Sequence, residues 1–160
     1  MIGERDIERL YRELGHVVLR RARELLRSDA EARDALHEIF VGLLARPEQL
    51  EGVAKRTGWL YRVTTHHCLN QIRNRDGRAR LLRSVPREEE ASPRGENLAT
   101  VRRLLDKLPS PLAEVAVYYY VDEMSQDEIA AILGCSRRHV GDLVARLAKW
   151  SKDDVVAYAK

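Results

Sequence analysis

The chain has 160 residues, with 28 Lys and Arg against 25 Asp and Glu for a net charge of +3, two cysteines and only 6 % aromatic residues. That length allows one domain or two small ones with a real core, and two distant cysteines without a CxxC pattern exclude a disulfide scaffold and read as small buried hydrophobes of a reducing compartment. No apolar run approaches the length of a membrane helix and the amino end, MIGERDIERLYREL, is too charged for a secretory signal, so a cytoplasmic protein with no membrane insertion is expected.

Apolar residues recur at intervals of three and four, with no alternating strand, which predicts an all-α fold. The first helix runs from about Asp6 to Arg27, with Ile7, Leu10, Tyr11, Leu14, Val17, Val18, Leu25 and Leu26 as its apolar stripe. A second helix is expected from Asp29, a cap residue, to Ala45. It carries Ala32, Leu36, Ile39, Phe40, Leu43 and Leu44 inward and shows Asp34, His37, Glu38 and Val41 on its other face, and Pro47 marks its end. A loop from Arg46 to Gly58 leads to a third helix that ends near Arg75. In that helix Trp59, Leu60, Val63 and His67 fall on one side and Tyr61, Cys68 and Ile72 on another, the mark of a helix packed on two sides, while Arg62, His66 and Arg73 share a polar strip between them.

Charge is distributed unevenly. Residues 1–54 carry 9 basic against 11 acidic side chains, whereas residues 55–87 carry 9 against 1 and continue through Arg75, Arg78, Arg80 and Arg83. A basic block of this kind is a footprint for a polyanion, nucleic acid or anionic membrane, with a merely solvated face as the plain alternative. Residues 83–97 combine Pro, Gly and Ser with Glu88 to Glu90 and read as a linker between two domains, 1–82 and 98–160. Helical spacing resumes at Leu98, Val101, Leu104, Leu105 and Leu108; Pro109 and Pro111 break and restart the chain, and Leu112, Val115, Ala116, Tyr119 and Tyr120 supply the next helix.

The strongest local signal is SQDEIAAILGCSRRHVGDLVARLAKW, from Ser125 to Trp150. Ser125 and Glu128 have the spacing of a capping box, Gly134 suits the left-handed residue that ends a helix, and Ser136 caps a second helix. There Val140, Leu143, Val144 and Leu147 face a core and leave Arg138, Asp142, Ala145 and Lys149 outward. Small Ala130 and the short Gly134-Cys135-Ser136 connection give the steep crossing of a DNA-reading helix-turn-helix, with Arg137 and Arg138 at the amino end of the second helix, where base edges and phosphates are met. A helical hairpin with a solvated outer face is the plain alternative.

Two separated segments resemble one family. ARDALHEIFVGL (Ala32 to Leu43) with WLYRVTTHHCLNQIRNR (Trp59 to Arg75) resembles region two of bacterial sigma factors, and Leu108 to Trp150 resembles their region four. With no room for a third domain between them, the chain resembles the minimal, extracytoplasmic-function type. The resemblance implies two helical domains, no cofactor, no metal and no catalytic residue, and as partners core RNA polymerase (through the β′ clamp coiled coil and the β flap), promoter DNA and, in some members, an anti-sigma factor.

By the same resemblance Asp34, His37, Glu38 and Phe40 match the core-polymerase-binding helix, with His37 where the family usually has glutamine. Trp59, Arg62, His66, Asn70 and Arg73 match the part that captures the non-template strand of the −10 element, His66 and Asn70 replacing the family's usual asparagine and aspartate. Single-stranded bases need a stacking surface beside cations, and Trp59 is either that platform or part of the core. Arg137, Arg138, His139, Gly141, Asp142 and Arg146, with Lys149 on the same outer face, match the helix that reads the −35 duplex; many relatives are basic where this chain has Gly141 and Leu143. Arginine grips guanine bidentately and Asp142 can accept from a cytosine amino group or pair with Arg138 or Arg146.

Two other functions compete with that of a promoter-specificity subunit. A stand-alone helix-turn-helix regulator needs a dimer interface or effector domain, and no heptad or ligand pocket signature is visible. An enzyme built on His66, His67 and Cys68 is disfavoured, because adjacent helical residues point apart and no carboxylate or histidine at i+4 completes a site.

Overall fold

The computed structural model describes residues 1–82, 93–105 and 107–158, with side chains described for 1–75, 93–105 and 107–150. The regular elements among the described residues are all helical: α1 (Glu4–Leu26), α2 (Asp29–Ala45), a 3₁₀ turn (Pro47–Leu50), α3 (Arg56–Leu82), α4 (Pro93–Leu104), α5 (Ser110–Ala116), a π-turn (Val117–Val121), α6 (Gln126–Leu133) and α7 (Arg137–Tyr158). The chain divides into two compact units, Met1–Asn74 and Arg75–Lys160. That division lies within α3, since the helix continues past the expected end near Arg75; Asp76 and Gly77 are poor helix formers but do not interrupt it.

In the first unit α1 and α2 form a tight helical hairpin. Arg27 adopts the left-handed conformation (φ 55°, ψ 30°) and donates its N–H to the Arg23 carbonyl, closing α1. Ser28 then caps α2, its hydroxyl accepting from the Glu31 N–H at 3.3 Å. The cap is therefore Ser28 and not Asp29, which opens the first turn, where a carboxylate suits the helix dipole. Arg33 and Arg23 both donate to the Asp29 carboxylate and hold its pKa below the usual value, Arg33 the more strongly. The core joins Ile7, Leu10 and Val18 of α1 to Leu36, Ile39, Phe40 and Leu43 of α2, Leu50 of the 3₁₀ turn and Leu60 of α3.

Two assignments on the hairpin change. Leu44 and Tyr11 are each 48 % exposed, although the apolar pattern turns both inward; Tyr11 lies edge-on to Phe40, ring centroids 5.0 Å apart. Arg21, in contrast, is only 2 % exposed. Its Nε donates to Thr65 Oγ1 at 3.1 Å and its guanidinium covers the Tyr61 ring at 4.4 Å, so the buried charge is held by a hydroxyl and a π-face as well as by Glu24.

In the second unit residues 93–97, read from sequence as the end of a linker, form the first turns of α4, while residues 83–92, with Glu88 to Glu90, lie outside the described residues. Proline is suited to a first helical turn. The turn is also anchored from outside: Arg94 pairs with Asp122 at 3.1 Å and the Asn97 amide donates to the Tyr120 carbonyl at 3.0 Å. After α5 the Asp122 N–H reaches five residues back to the Val117 carbonyl at 3.0 Å. Leu112 to Tyr118 are buried without a break, so Tyr118 lies in the core, where its hydroxyl donates to buried Glu114 at 3.0 Å. Tyr120 is 40 % exposed and stands edge-on to Tyr119.

α6 and α7 form the helix-turn-helix. Ser125 and Glu128 close a reciprocal capping box, with bonds of 3.2 Å and 2.7 Å. Gly134 takes the left-handed conformation at φ 68° and ψ 35°, and the Ser136 hydroxyl accepts from the His139 N–H at 3.1 Å. Ile129, Ala130, Val140, Leu143 and Leu147 are buried.

Candidate functional site

Three exposed surfaces carry the residues singled out by sequence. The first is on α2. Asp34, His37 and Glu38 are exposed, joined by Val41 and Leu44 one and two turns later, which makes a stripe that is acidic at its amino end and apolar at its carboxyl end. Phe40 is not on this stripe. At 5 % exposure it belongs to the core and meets Tyr11, so it supports the exposed face from beneath. The Glu38 carboxylate is not solitary, since Nε2 of His67 on α3 lies 3.0 Å from its Oε2.

The second surface is on α3. Arg62, His66 and Asn70 are exposed at intervals of four residues and form one line, with Asn70 Nδ2 and His66 Nδ1 3.5 Å apart. Arg73 is half-buried beyond them, and Trp59 is partly buried against the core of the first unit, so one of its faces serves packing. The side chains of Arg78, Arg80 and Arg83, which extend the basic run in the sequence, lie outside the described residues. Behind the line α3 is closely packed. Thr64 and Thr65 are fully buried, each hydroxyl donating to the carbonyl four residues earlier, Leu60 at 2.6 Å and Tyr61 at 2.8 Å, which is how a hydroxyl is buried without loss.

The third surface is on α7. Arg137, Arg138, His139, Asp142, Arg146 and Lys149 are all exposed, and Leu143 is buried and so presents nothing outward. Arg137 leans toward Asp127 in the first turn of α6, Nε to Oδ1 3.8 Å. At Gly141 a Cβ would stand 3.3 Å from the Gln126 amide oxygen, so the bare backbone at this point admits the Gln126 side chain over α7. Local sequence placed this face correctly because the cap at Ser136 and the spacing of Val140, Leu143 and Leu147 together set its rotation.

The residues weighed for metal chemistry diverge. His66 is exposed, His67 turns toward Glu38 and Cys68 is buried, its thiol pushed up to about 12 by desolvation and drawn down only partly by Arg21. A thiol in that state stays protonated at neutral pH and is a poor nucleophile. Two members of these surroundings were not picked out by sequence reasoning. Arg21 left a signal, since it interrupts the apolar stripe between Val18 and Leu25; the His67–Glu38 contact left none, because it joins two helices.

Among the described residues no helix is long and apolar enough to cross a membrane. Residues 10–78 match the family model for Sigma-70 region 2, and residues 98–149 match that for Sigma-70, region 4. No curated protein matches the chain. Among solved structures it is similar to the sigma factor RpoE from Bartonella quintana, crystallised in complex with the anti-sigma factor NepR, with a TM-score of 0.54 and 17 % identity over 90 % of this chain and 92 % of that one. At that identity the likeness concerns the fold.

Proposed function

The chain belongs to the sigma-70 family, as a two-region promoter-directing factor of the extracytoplasmic-function type, and from this premise we propose how its surfaces divide the work. Asp34, His37 and Glu38 on α2 dock on the β′ clamp coiled coil of core RNA polymerase, with Phe40 holding the helix from within. Arg62, His66 and Asn70, flanked by Trp59 and Arg73, hold the non-template strand of the −10 element; their exposed, cation-headed line suits a single strand, whose backbone is anionic along its length. Arg137, Arg138, His139, Asp142, Arg146 and Lys149 of α7 enter the major groove of the −35 duplex, while the unit that carries them rests on the β flap. On this reading residues 1–82 act as region two and residues 98–160 as region four, in the cytoplasm, and the chain performs no chemistry of its own. An anti-sigma protein is included among its partners because the relative RpoE was crystallised with one.

What carries the reading is that regions two and four occur in this order on one short chain. A lone helix-turn-helix regulator has no use for the first of them. The test is reconstituted transcription with purified core polymerase and a genomic DNA pool. Start sites that appear only when this chain is added are expected, together with weak binding of the chain alone to the same promoters. Tight footprints from the chain alone, with no initiation on adding core enzyme, would instead identify a stand-alone regulator.

A further inference from the structure

Glu38 and His67 meet where α2 packs beside α3, ring Nε2 to carboxylate Oε2 at 3.0 Å. The ring nitrogen is buried and the approach misses the line of a hydrogen bond. At such a separation a bare nitrogen lone pair would repel a carboxylate oxygen, so the contact favours the ring form with its hydrogen on Nε2. The Glu38 side chain nonetheless remains 61 % exposed, against 30 % for His67. One edge of the carboxylate is held from inside the unit while the group stays open to a partner.

A glutamate on a helix surface samples many rotamers and loses that freedom when a partner fixes it. Asp34, one turn earlier on the same exposed face, adds like-charge repulsion at i, i+4 spacing, which drives the two carboxylates apart. The protonated edge of His67 opposes both effects. We propose that His67 is a positioning residue for polymerase binding: from α3 it holds the Glu38 carboxylate ready for a basic side chain on the polymerase clamp. The role rests on the reading of the α2 face as the polymerase contact.

The experiment titrates the protein into core polymerase, comparing wild type with His67→Leu, His67→Gln, Asp34→Asn, Glu38→Ala and the Glu38→Ala/His67→Leu double variant, each checked by thermal unfolding. His67→Leu is expected to lose roughly three- to tenfold in affinity, about the cost of ordering one long side chain on binding. His67→Gln, whose amide N–H stands near the place of ring Nε2, recovers most of that loss. In the Glu38→Ala background His67→Leu changes affinity by less than about twofold, because its effect passes through Glu38. Unchanged affinity in His67→Leu overturns the positioning role, and so does an equal loss with and without Glu38. If Glu38→Ala and Asp34→Asn both bind polymerase as wild type does, the polymerase-contact reading itself has failed; if they weaken binding and His67→Leu does not, only the positioning role has.

Discussion

Phe40 and Asp34 lie less than two turns apart on α2, yet they answer to different forces. Asp34 is exposed, and its charge is free to act on a partner, whereas Phe40 is packed in the core with Tyr11 against its edge. Removing the ring leaves a cavity that a close-packed hairpin cannot collapse, so Phe40→Ala should cost about 3 to 5 kcal/mol of stability in chemical denaturation. Below the unfolding transition its polymerase affinity should fall only by the fraction of unfolded protein. Arg21 is the opposite case, a charge inside, made tolerable by Thr65, Glu24 and the Tyr61 ring. Its Thr65 partner is 44 residues away in the chain, so neither residue announces the pair.

The helix-turn-helix is built almost wholly from local rules. Its capping box, left-handed glycine and second cap involve residues within a few positions of one another, and each takes the conformation that its neighbours require. Gly134 isolates one of these rules. A Cβ there would meet nothing within 4 Å, so the cost of Gly134→Ala is purely that of holding a side-chain-bearing residue at φ 68°. That should be about 1 kcal/mol, read from the denaturation midpoint, with a similar helical content at low temperature. The π-turn is not local in this sense. Tyr118 is buried and Tyr120 exposed, and the carbonyl of Tyr120 is taken by Asn97 of α4. The same contact explains why α4 starts within a stretch whose composition reads as linker.

At the scale of the molecule, the two surfaces proposed to meet DNA differ in chemistry. The α7 face mixes Arg137, Arg138 and Arg146 with Asp142, which suits base edges, whereas the α3 line has Arg62 followed by an imidazole and an amide, which suits a strand. Arg138→Ala should therefore lose discrimination at one or two upstream base pairs, about 1 to 3 kcal/mol on the preferred sequence and little on others. Arg62→Ala should weaken open-complex formation on all promoters alike. Initiation rates on a panel of promoters mutated separately at the two elements distinguish these outcomes; matching profiles for both variants would show that the faces are not divided in this way.

Much was already determined by the sequence: the all-α class, most helix boundaries, the helix-turn-helix with its outward residues, and the two family regions. The first three rest on periodicity and capping, interactions that close within one or two turns, and the last on the resemblance of two sequence segments to one family. The tertiary structure decided which of several apolar positions is buried. Leu44 and Tyr120 are outside while Phe40 and Tyr118 are inside, because burial is set by what packs on a helix and not by the helix alone. It also decided the fate of polar groups whose partners are remote in sequence, Arg21 with Thr65, Glu38 with His67 and Asn97 with Tyr120. Such contacts form only when separate helices come together, and no spacing within one helix encodes them.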